Sequence, residues 1–489
     1  MMDASRSGVT RTYHRIKDIF VKSKEDRREE ILEGSIIKTL LILAIPVMVS
    51  SALHTAFNIV DTFWLGQLGA AEVGAPTAAW PVIFSFLAIG MGFSTAGVSL
   101  VSQHTGAGGD KEANEAAGQV FTFIMIIGVV SGAAGFILAP WILTLVGTPS
   151  DVFPLALIYL RIVLLSMPFV FAYISFRFLL RGIGDMVTPM LIRAVLVVFN
   201  LILDPILIFG IGPVPELGVT GAALATATAR IISAMVGMYL LFNGKVQIKL
   251  SVRNLGLKLR WVKQIVTIGG PATLARAGSA VGFVVMFSIV AVFGKKPVAA
   301  YGIGRRVTHV ITFATWGFAA ASMTMVGQNV GADQTERAEN IVKKAVIVGF
   351  TIMFTMATIL VLLRSPVIGA FIDDTAVIEE GSRYLLIFAL TIPFFGIYRI
   401  FDSTFRGTGH TVPAMGLSIF RIWALRIFVS ALLALSAISL GAYTINIGFD
   451  LGVTGVWYGM AASNLIIAGL SYIYFLTGRW KEKTIKTDQ

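Results

Sequence analysis

The chain is written twice, and that doubling constrains its fold more than any other feature. Pro46 is answered 225 residues later by Pro271. Val101-x-Gln103-x-x-Gly106-Ala107 returns as Val326-x-Gln328-x-x-Gly331-Ala332, and Arg181-Gly182-x-Gly184 as Arg406-Gly407-x-Gly409, at the same spacing. Further on, Leu217-Gly218-Val219-Thr220-Gly221 recurs unchanged at Leu451 to Gly455, displaced by 234, so about nine residues are gained in between. A spacing held over so much of the chain requires two structurally equivalent halves.

With 56% hydrophobic residues, 13% charged and 49 glycines in 489 residues, a water-soluble reading would demand a larger core than one domain sustains. Apolar runs long enough to cross about 30 Å of hydrocarbon fall near 36–66, 77–104, 113–144, 152–180, 187–211 and 219–242, then 261–293, 302–328, 338–363, 376–405, 411–440 and 452–478. Six and six match the repeat. The fold class expected is therefore all-α integral membrane: twelve transmembrane helices in two six-helix lobes. An even number of spans per half makes the repeat parallel, about a pseudo-two-fold along the membrane normal. The domains expected are a basic arm 1–35, a first lobe 36–242, a linker 243–260, a second lobe 261–478 and a tail 479–489. The linker is long and polar enough to serve as a strap between lobes that rock.

Basic residues gather in the arm (Arg6, Arg11, Arg15, Lys17, Lys22, Lys24, Arg27, Arg28), the central connection (Lys245, Lys249, Arg253, Lys258, Arg260, Lys263) and the tail (Arg479, Lys481, Lys483, Lys486), whereas 66–76, 145–151 and 212–218 hold no Lys or Arg, with Lys295 and Lys296 the main exceptions on the outer side. Positive charge stays inside, so both termini and the linker are expected in the cytoplasm. The net charge of +12 then reflects topology and anionic lipid, with no nucleic-acid partner. Residues 13–33 read as a helix on the inner membrane surface or as a solvated tail. No cleavable signal peptide is visible, and with no cysteine disulfides and thiolate chemistry are excluded.

Acids inside apolar spans are expensive, about 2.5–3.5 kcal/mol on insertion scales, and few occur. Asp61 lies three residues after Asn58 and Asp204 four after Asn200, so each has an amide on its own helical face; Thr226 reaches a similar depth from the opposite side. This all-oxygen set suits a hard cation such as Na⁺, or a proton shared by two carboxylates. The alternative is that neighbours simply satisfy both acids. At the 225 spacing Asp61 faces Met286, Asn200 faces Leu425 and Asp204 faces Val429, and at 234 Thr226 faces Met460. The chemistry therefore belongs to the first half. The second half instead carries Arg276 and Arg426 at mid-span, with Arg399 and Asp402 deeper, for which a structural role is expected. His54, seven residues before Asp61, suits a proton relay or a packed histidine.

Ile31-Leu32-x-Gly34 with Lys38 and Pro46, Asn58-x-x-Asp61-x-x-Trp64-x-x-x-Leu68-Gly69, Arg181-Gly182-x-Gly184-Asp185 and Asn200-x-x-x-Asp204-Pro205 closely resemble the multidrug and toxic compound extrusion (MATE) transporters, nearest the archaeal and DinF-like branch. The resemblance spans residue 30 to about 478. It implies export of organic cations or other amphipathic compounds in exchange for Na⁺ or H⁺ by alternating access. It also implies a coupling site of Asp61, Asn200, Asp204 and Thr226, a possible Na⁺ site, with Tyr159 alongside and Pro46 as a hinge. Phe57 stands where relatives carry Tyr and Arg177 where they carry Asn; with Asn58 these are supporting or substrate-cavity candidates. A flippase of lipid-linked or other anionic amphiphiles is the second reading, favoured by Arg276 and Arg426. A membrane enzyme is disfavoured, because Asp373-Asp374 has no partner motif, and no phosphate-binding loop points to ATP. The expectation is a multi-pass protein of a prokaryotic plasma membrane, monomeric, without cofactor, whose partners are a small-molecule substrate, the coupling ion and lipid.

Overall fold

In a computed structural model of the chain, residues 24–436, 438–440, 443–445, 448–482 and 485 are described. The arm up to residue 23, with Arg6 to Lys22, and the tail residues Lys483 and Lys486 lie outside them. The first half runs α1 (Lys24–Leu32), α2 (Ile36–Gly66), α3 (Ala70–Gly106), α4 (Asp110–Leu145), α5 (Phe153–Leu165), α6 (Met167–Gly182), α7 (Val187–Phe209) and α8 (Gly218–Phe242). The second runs α9 (Leu259–Ala291), α10 (Lys295–Gly331), α11 (Thr335–Leu362), α12 (Arg364–Gly369), α13 (Thr375–Ala389), α14 (Ile392–Gly407), α15 (Thr411–Phe420) continuing through a π-helical stretch Arg421–Phe428 into α16 (Val429–Ala434), and α17 (Gly452–Leu476).

Ten helices are long and apolar enough to span a membrane, and two bent pairs, α5–α6 at 52° and α13–α14 at 44°, raise this to twelve. Each bend falls just before a repeated proline, Pro168 or Pro393, at the start of the second segment, where a missing N–H costs nothing. Pro46 and Pro271, by contrast, sit inside unbroken helices; each leaves a carbonyl one turn earlier without its donor, a weak point at which bending is cheap. Large apolar side chains such as Ile59, Val129, Val130, Ile137 and Val195 remain exposed, as a surface bathed in lipid requires.

The repeat explains both its own motifs and its own irregularity. Gly184 and Gly409, the second glycines of the two Arg-Gly-x-Gly motifs, have φ of 84° and 88°, a left-handed turn that only glycine adopts without strain. Helix α7 ends at Phe209 and α16 at Ala434, still 225 apart, after which eight residues separate α7 from α8 but seventeen separate α16 from α17. The longer connection carries an antiparallel strand pair, Ile438–Leu440 with Tyr443–Ile445. The apolar run drawn to residue 440 therefore leaves the helix six residues early.

At the end that bears the termini, the two lobes are bolted together by the repeated glutamines. The Gln103 amide of α3 donates to the Gly407 carbonyl of the second lobe at 3.1 Å, joined by Ser99 Oγ at 3.1 Å. The symmetry-related Gln328 of α10 donates to the Gly182 carbonyl of the first lobe at 2.8 Å, and Thr324 Oγ1 to the Arg181 carbonyl at 2.8 Å. A Cβ on Gly106 would fall 1.9 Å from the Gln328 carbonyl oxygen, and one on Gly331 2.1 Å from that of Gln103, so only glycine permits this approach. Residues 94–106 of α3 and 317–331 of α10 are all buried.

Toward the other end the lobes part. The glycines nearest the opposite lobe, Gly92, Gly106, Gly269, Gly317, Gly327 and Gly331, all lie in the halves of their helices closer to the termini, whereas Gly282 and Gly304 pack within their own lobe. His54 of α2 and His309 of α10 lie within electrostatic range of each other and both remain accessible, so the lobes have parted by this level and leave a cleft between them.

Two connections pack closely on the lobes. In helix α1, Ile31 and Leu32 are buried, Arg27 pairs with Asp185 at 2.9 Å and Arg28 donates to the Gly106 carbonyl of the first lobe, while Asn329 and Arg337 of the second lobe donate to the Ile31 and Gly34 carbonyls; the part of 13–33 before residue 24 lies outside the described residues. Helix α1 thus straddles the seam. The linker is likewise no loose strap. Gln119 of α4 donates to the Asn254 and Gly256 carbonyls and accepts from Lys258 N–H, and Glu115 receives both Lys258 and Trp261, so the linker is stitched to the first lobe.

The four crossed hydrogen bonds are neutral, worth about 1 kcal/mol each. The native chain has no cysteine, so one introduced at the fully buried Ser322 reports opening of the seam cleanly. Replacing Gln103 and Gln328 together by Leu removes about 2 kcal/mol, and labelling of that cysteine by a permeant maleimide should rise on the order of tenfold or more. An unchanged rate would show that the glutamines do not hold the seam.

Candidate functional site

Asp61 in α2, Asn200 and Asp204 in α7, Thr226 in α8 and Tyr159 in α5 converge inside the first lobe. The four-residue spacing that placed Asn200 and Asp204 on one face is realised as a 2.9 Å hydrogen bond from Asn200 Nδ2 to Asp204 Oδ1. The Asp61 and Asp204 carboxyls face each other at hydrogen-bonding range, and the Tyr159 hydroxyl approaches Thr226. Asp204 is fully buried, Asn200 and Thr226 nearly so, and Asp61 is half-buried on the cleft side.

This cluster is short of donors. Asp61 Oδ1, Asn200 Oδ1, Asp204 Oδ2 and Thr226 Oγ1 are all buried without a hydrogen-bond partner among the described residues. An unmatched buried acceptor costs about 1–3 kcal/mol, more when charged, so four in one place call for a bound positive charge. Every oxygen is hard, which fits an alkali cation or a proton bridging the acids. Among the described residues no three His, Cys, Asp or Glu side chains gather as a transition-metal site would need.

Asn58 does not accompany Asp61 into the cluster. It is exposed, and its carbonyl accepts Thr62 Oγ1; Phe57 is half-buried beside it. Spacing alone put Asn58 on the face of Asp61, but a three-residue step turns about 60° away from it, enough to reach the open side. Arg177 does not enter either. It lies over the Tyr173 ring at 5.7 Å and has Arg181 and Arg193 as its charged neighbours. His54 is ringed by Arg177, Arg193, Arg230 and His309 with no acid among them, an unsuitable place for a relay to Asp61.

The residue that sequence inspection missed is Arg230. It sits four residues after Thr226 on α8, its charged neighbours include Asp61 and Tyr159, and its Nη1 is buried without a hydrogen-bond partner. The i, i+4 step from Thr226 was the available signal. A guanidinium tethered beside the acids acts as a resident counter-ion that any arriving cation must compete with.

The second-lobe charges divide. Asp402 is fully buried and held by Arg399 at 2.7 Å and Arg406 at 2.9 Å. Arg426 donates to Ser463 and Asn464, the π-helical widening of the helix presenting Arg421 and Arg426 inward together. Asp374 caps α13 by accepting from Ala376 and Val377, which disposes of an Asp-rich metal motif. For Asp402, Arg399, Arg406 and Arg426 these roles are structural; Arg276 makes no hydrogen bond through its buried Nε, nor does Arg421, which lies instead over the Phe395 and Tyr398 rings.

The MatE family profile matches residues 46–206 and 271–432, one match in each half. The chain is similar to a probable multidrug resistance protein, YpnP of Bacillus subtilis, at 27% identity over 94% of this chain and 99% of the relative, and to an FAD transporter of Shewanella oneidensis at 27% over 91% and 95%. Among solved structures it resembles a MOP superfamily transporter from Pyrococcus furiosus, with a TM-score of 0.84 at 22% identity over 93% and 98% of the two chains. An outward-facing MATE family transporter superposes with a TM-score of 0.83 at 21% over 92% and 97%. At these identities the structures establish the fold.

Replacing Asp402 by Asn leaves the buried Arg406 and the half-buried Arg399 without their carboxylate and should cost about 3 kcal/mol, seen as a markedly lower melting temperature in detergent. Arg276→Gln should leave the melting temperature within a few degrees. Equal destabilisation by both would make Arg276 structural as well.

Proposed function

Because the chain belongs to the MatE family of membrane transporters, we propose that it exports small amphipathic molecules by alternating access, driven by Na⁺ or H⁺ binding at Asp61 and Asp204. The observation that carries this is the donor-poor oxygen cluster in the first lobe, whose four orphaned atoms belong to Asp61, Asn200, Asp204 and Thr226. Asp61 and Asp204 supply the charge, Asn200 orients Asp204, and Thr226 and Tyr159 complete the oxygen shell. The names of relatives, a probable multidrug resistance protein and an FAD transporter, support small organic molecules as cargo, and the outward direction follows the first of them.

In this cycle the seam of Gln103 and Gln328 closes the cytoplasmic side while the cleft faces outward, with both termini in the cytoplasm of a prokaryotic cell. Substrate leaves and the cation reaches the acids, displacing the Arg230 guanidinium. Bending of α2 at Pro46 then links occupancy of the cluster to the part of α2 that packs against α10, where a Cβ at Gly317 would strike the Ala44 carbonyl. One elementary charge moving across 100 mV supplies about 2.3 kcal/mol for the return.

Asp204→Asn should abolish efflux while leaving membrane insertion and melting temperature close to wild type. Undiminished efflux by this variant would remove the coupling role. Transport by proteoliposomes under separately imposed Na⁺ and pH gradients identifies the ion: only one gradient should drive wild-type flux, and neither should drive the variant.

A further inference from the structure

The cleft described above has a floor of unanswered positive charge. Arg177 of α6 and Arg193 of α7 lie in each other's field, and Arg181 lies in that of both. Across the seam Arg276 of α9 feels Arg181 as well as Arg399 and Arg406. His54 ties this group to Arg230 and, over the cleft, to His309. The acid in reach of Arg276 is Asp402, already bridged by Arg399 and Arg406. Arg177, Arg193 and Arg276 each keep a buried Nε–H without a hydrogen-bond partner, and among the described residues none of the three closes an ion pair.

This is not how arginines inside an apolar protein are ordinarily kept. Where this chain uses them structurally they have side-chain partners, Arg406 and Arg399 in Asp402 and Arg426 in Ser463 and Asn464, although Arg406 Nη1 is itself left without one. The three without such partners each retain accessible surface, and Arg177 and Arg193 lie within electrostatic range of His54, which is itself accessible. Like charges held together at reduced dielectric repel strongly, and an anion seated among them offsets that repulsion. The fork of a guanidinium matches the oxygens of a phosphate or carboxylate in pairs. The Tyr173 ring under Arg177 holds that fork by its face and leaves its donor edge free.

We propose that Arg177, Arg193 and Arg276 form an anion-binding site at the cleft floor, and that the transported molecule is an organic anion, best a phosphate ester. The proposal deepens the export reading, since it takes the cleft as the substrate site, but it does not depend on which ion drives the cycle. The repeat assigns the two charges to different places: a cation belongs at Asp61 and Asp204 within the first lobe, and an anion at the junction of the lobes. Arg177 occupies the position equivalent to Asp402. The first lobe has thus replaced the acid that neutralises this region in the second.

The test is equilibrium binding to wild-type protein in phosphatidylcholine nanodiscs, without any ion gradient, comparing flavin mononucleotide with riboflavin. The two share one fluorescent ring and differ by the phosphate. Flavin mononucleotide should bind about tenfold or more tightly, the effect of one charge-assisted hydrogen bond. Arg177→Gln and Arg276→Gln should each reduce that preference about tenfold, Arg276→Lys should retain part of it, and all should elute as folded protein. Displacement by lysophosphatidic acid but not glycerol phosphate would assign a lipid headgroup as the source, the reverse a soluble ester; both keep the site. Equal binding of the two flavins, binding of neither, or a preference that survives in folded Arg177→Gln and Arg276→Gln overturns it. Because this binding is read without any ion gradient and the coupling reading is tested by gradient-driven efflux, failure here and failure of ion coupling are told apart.

Discussion

Two glutamines, each crossing to a backbone carbonyl of the other lobe, make the junction on which the remaining architecture rests. Gln103 reaches Gly407 and Gln328 reaches Gly182, so each copy of one repeated motif is bonded to the other copy's partner motif. The bonds are neutral and few, which makes the seam firm when dry and easily exchanged for water when it opens. Helix α1 lies over this seam with bonds to both lobes, adding a brace that no part of the repeat contains.

Charge is segregated with respect to that junction. The first lobe holds two facing carboxyls with Arg230 as their tethered neighbour. The junction holds Arg177, Arg193 and Arg276 unpaired. The second lobe spends its one deep acid, Asp402, on Arg399 and Arg406. On the proposed reading, a cation held at the acids and an anion held at these arginines each change the field in which the other is held.

Much of this was legible in the residues. The repeat spacing anticipated two lobes, the apolar runs anticipated nearly every span, and the gain of nine residues anticipated the longer connection that carries the strand pair Ile438–Leu440 with Tyr443–Ile445. Asp61, Asn200, Asp204 and Thr226 were found because buried polarity stands out against lipid. What escaped was whatever depends on direction around a helix axis or on contacts between distant segments. Asn58 points to the open side, Arg230 joins the acids from α8, and Arg276 stays unsatisfied while Arg426 does not. The linker reads from its length and polarity as a strap, and its anchoring to the first lobe by Gln119 and Glu115 of α4 is not visible in its own residues.

By itself the sequence determined the solvent, the number of spans, the parallel relation of the halves and the lobe that carries the acids, since these follow from hydropathy, length and the register of the repeat. Only the tertiary structure decided which charges find partners. Satisfaction of a buried group depends on the donors brought within about 3 Å of it, and those come from helices far apart in the chain. Arg399 and Arg406 became structural because Asp402 lies between them, whereas Arg177, at the equivalent place in the other half, lies over the Tyr173 ring with Arg181 and Arg193 as its charged neighbours.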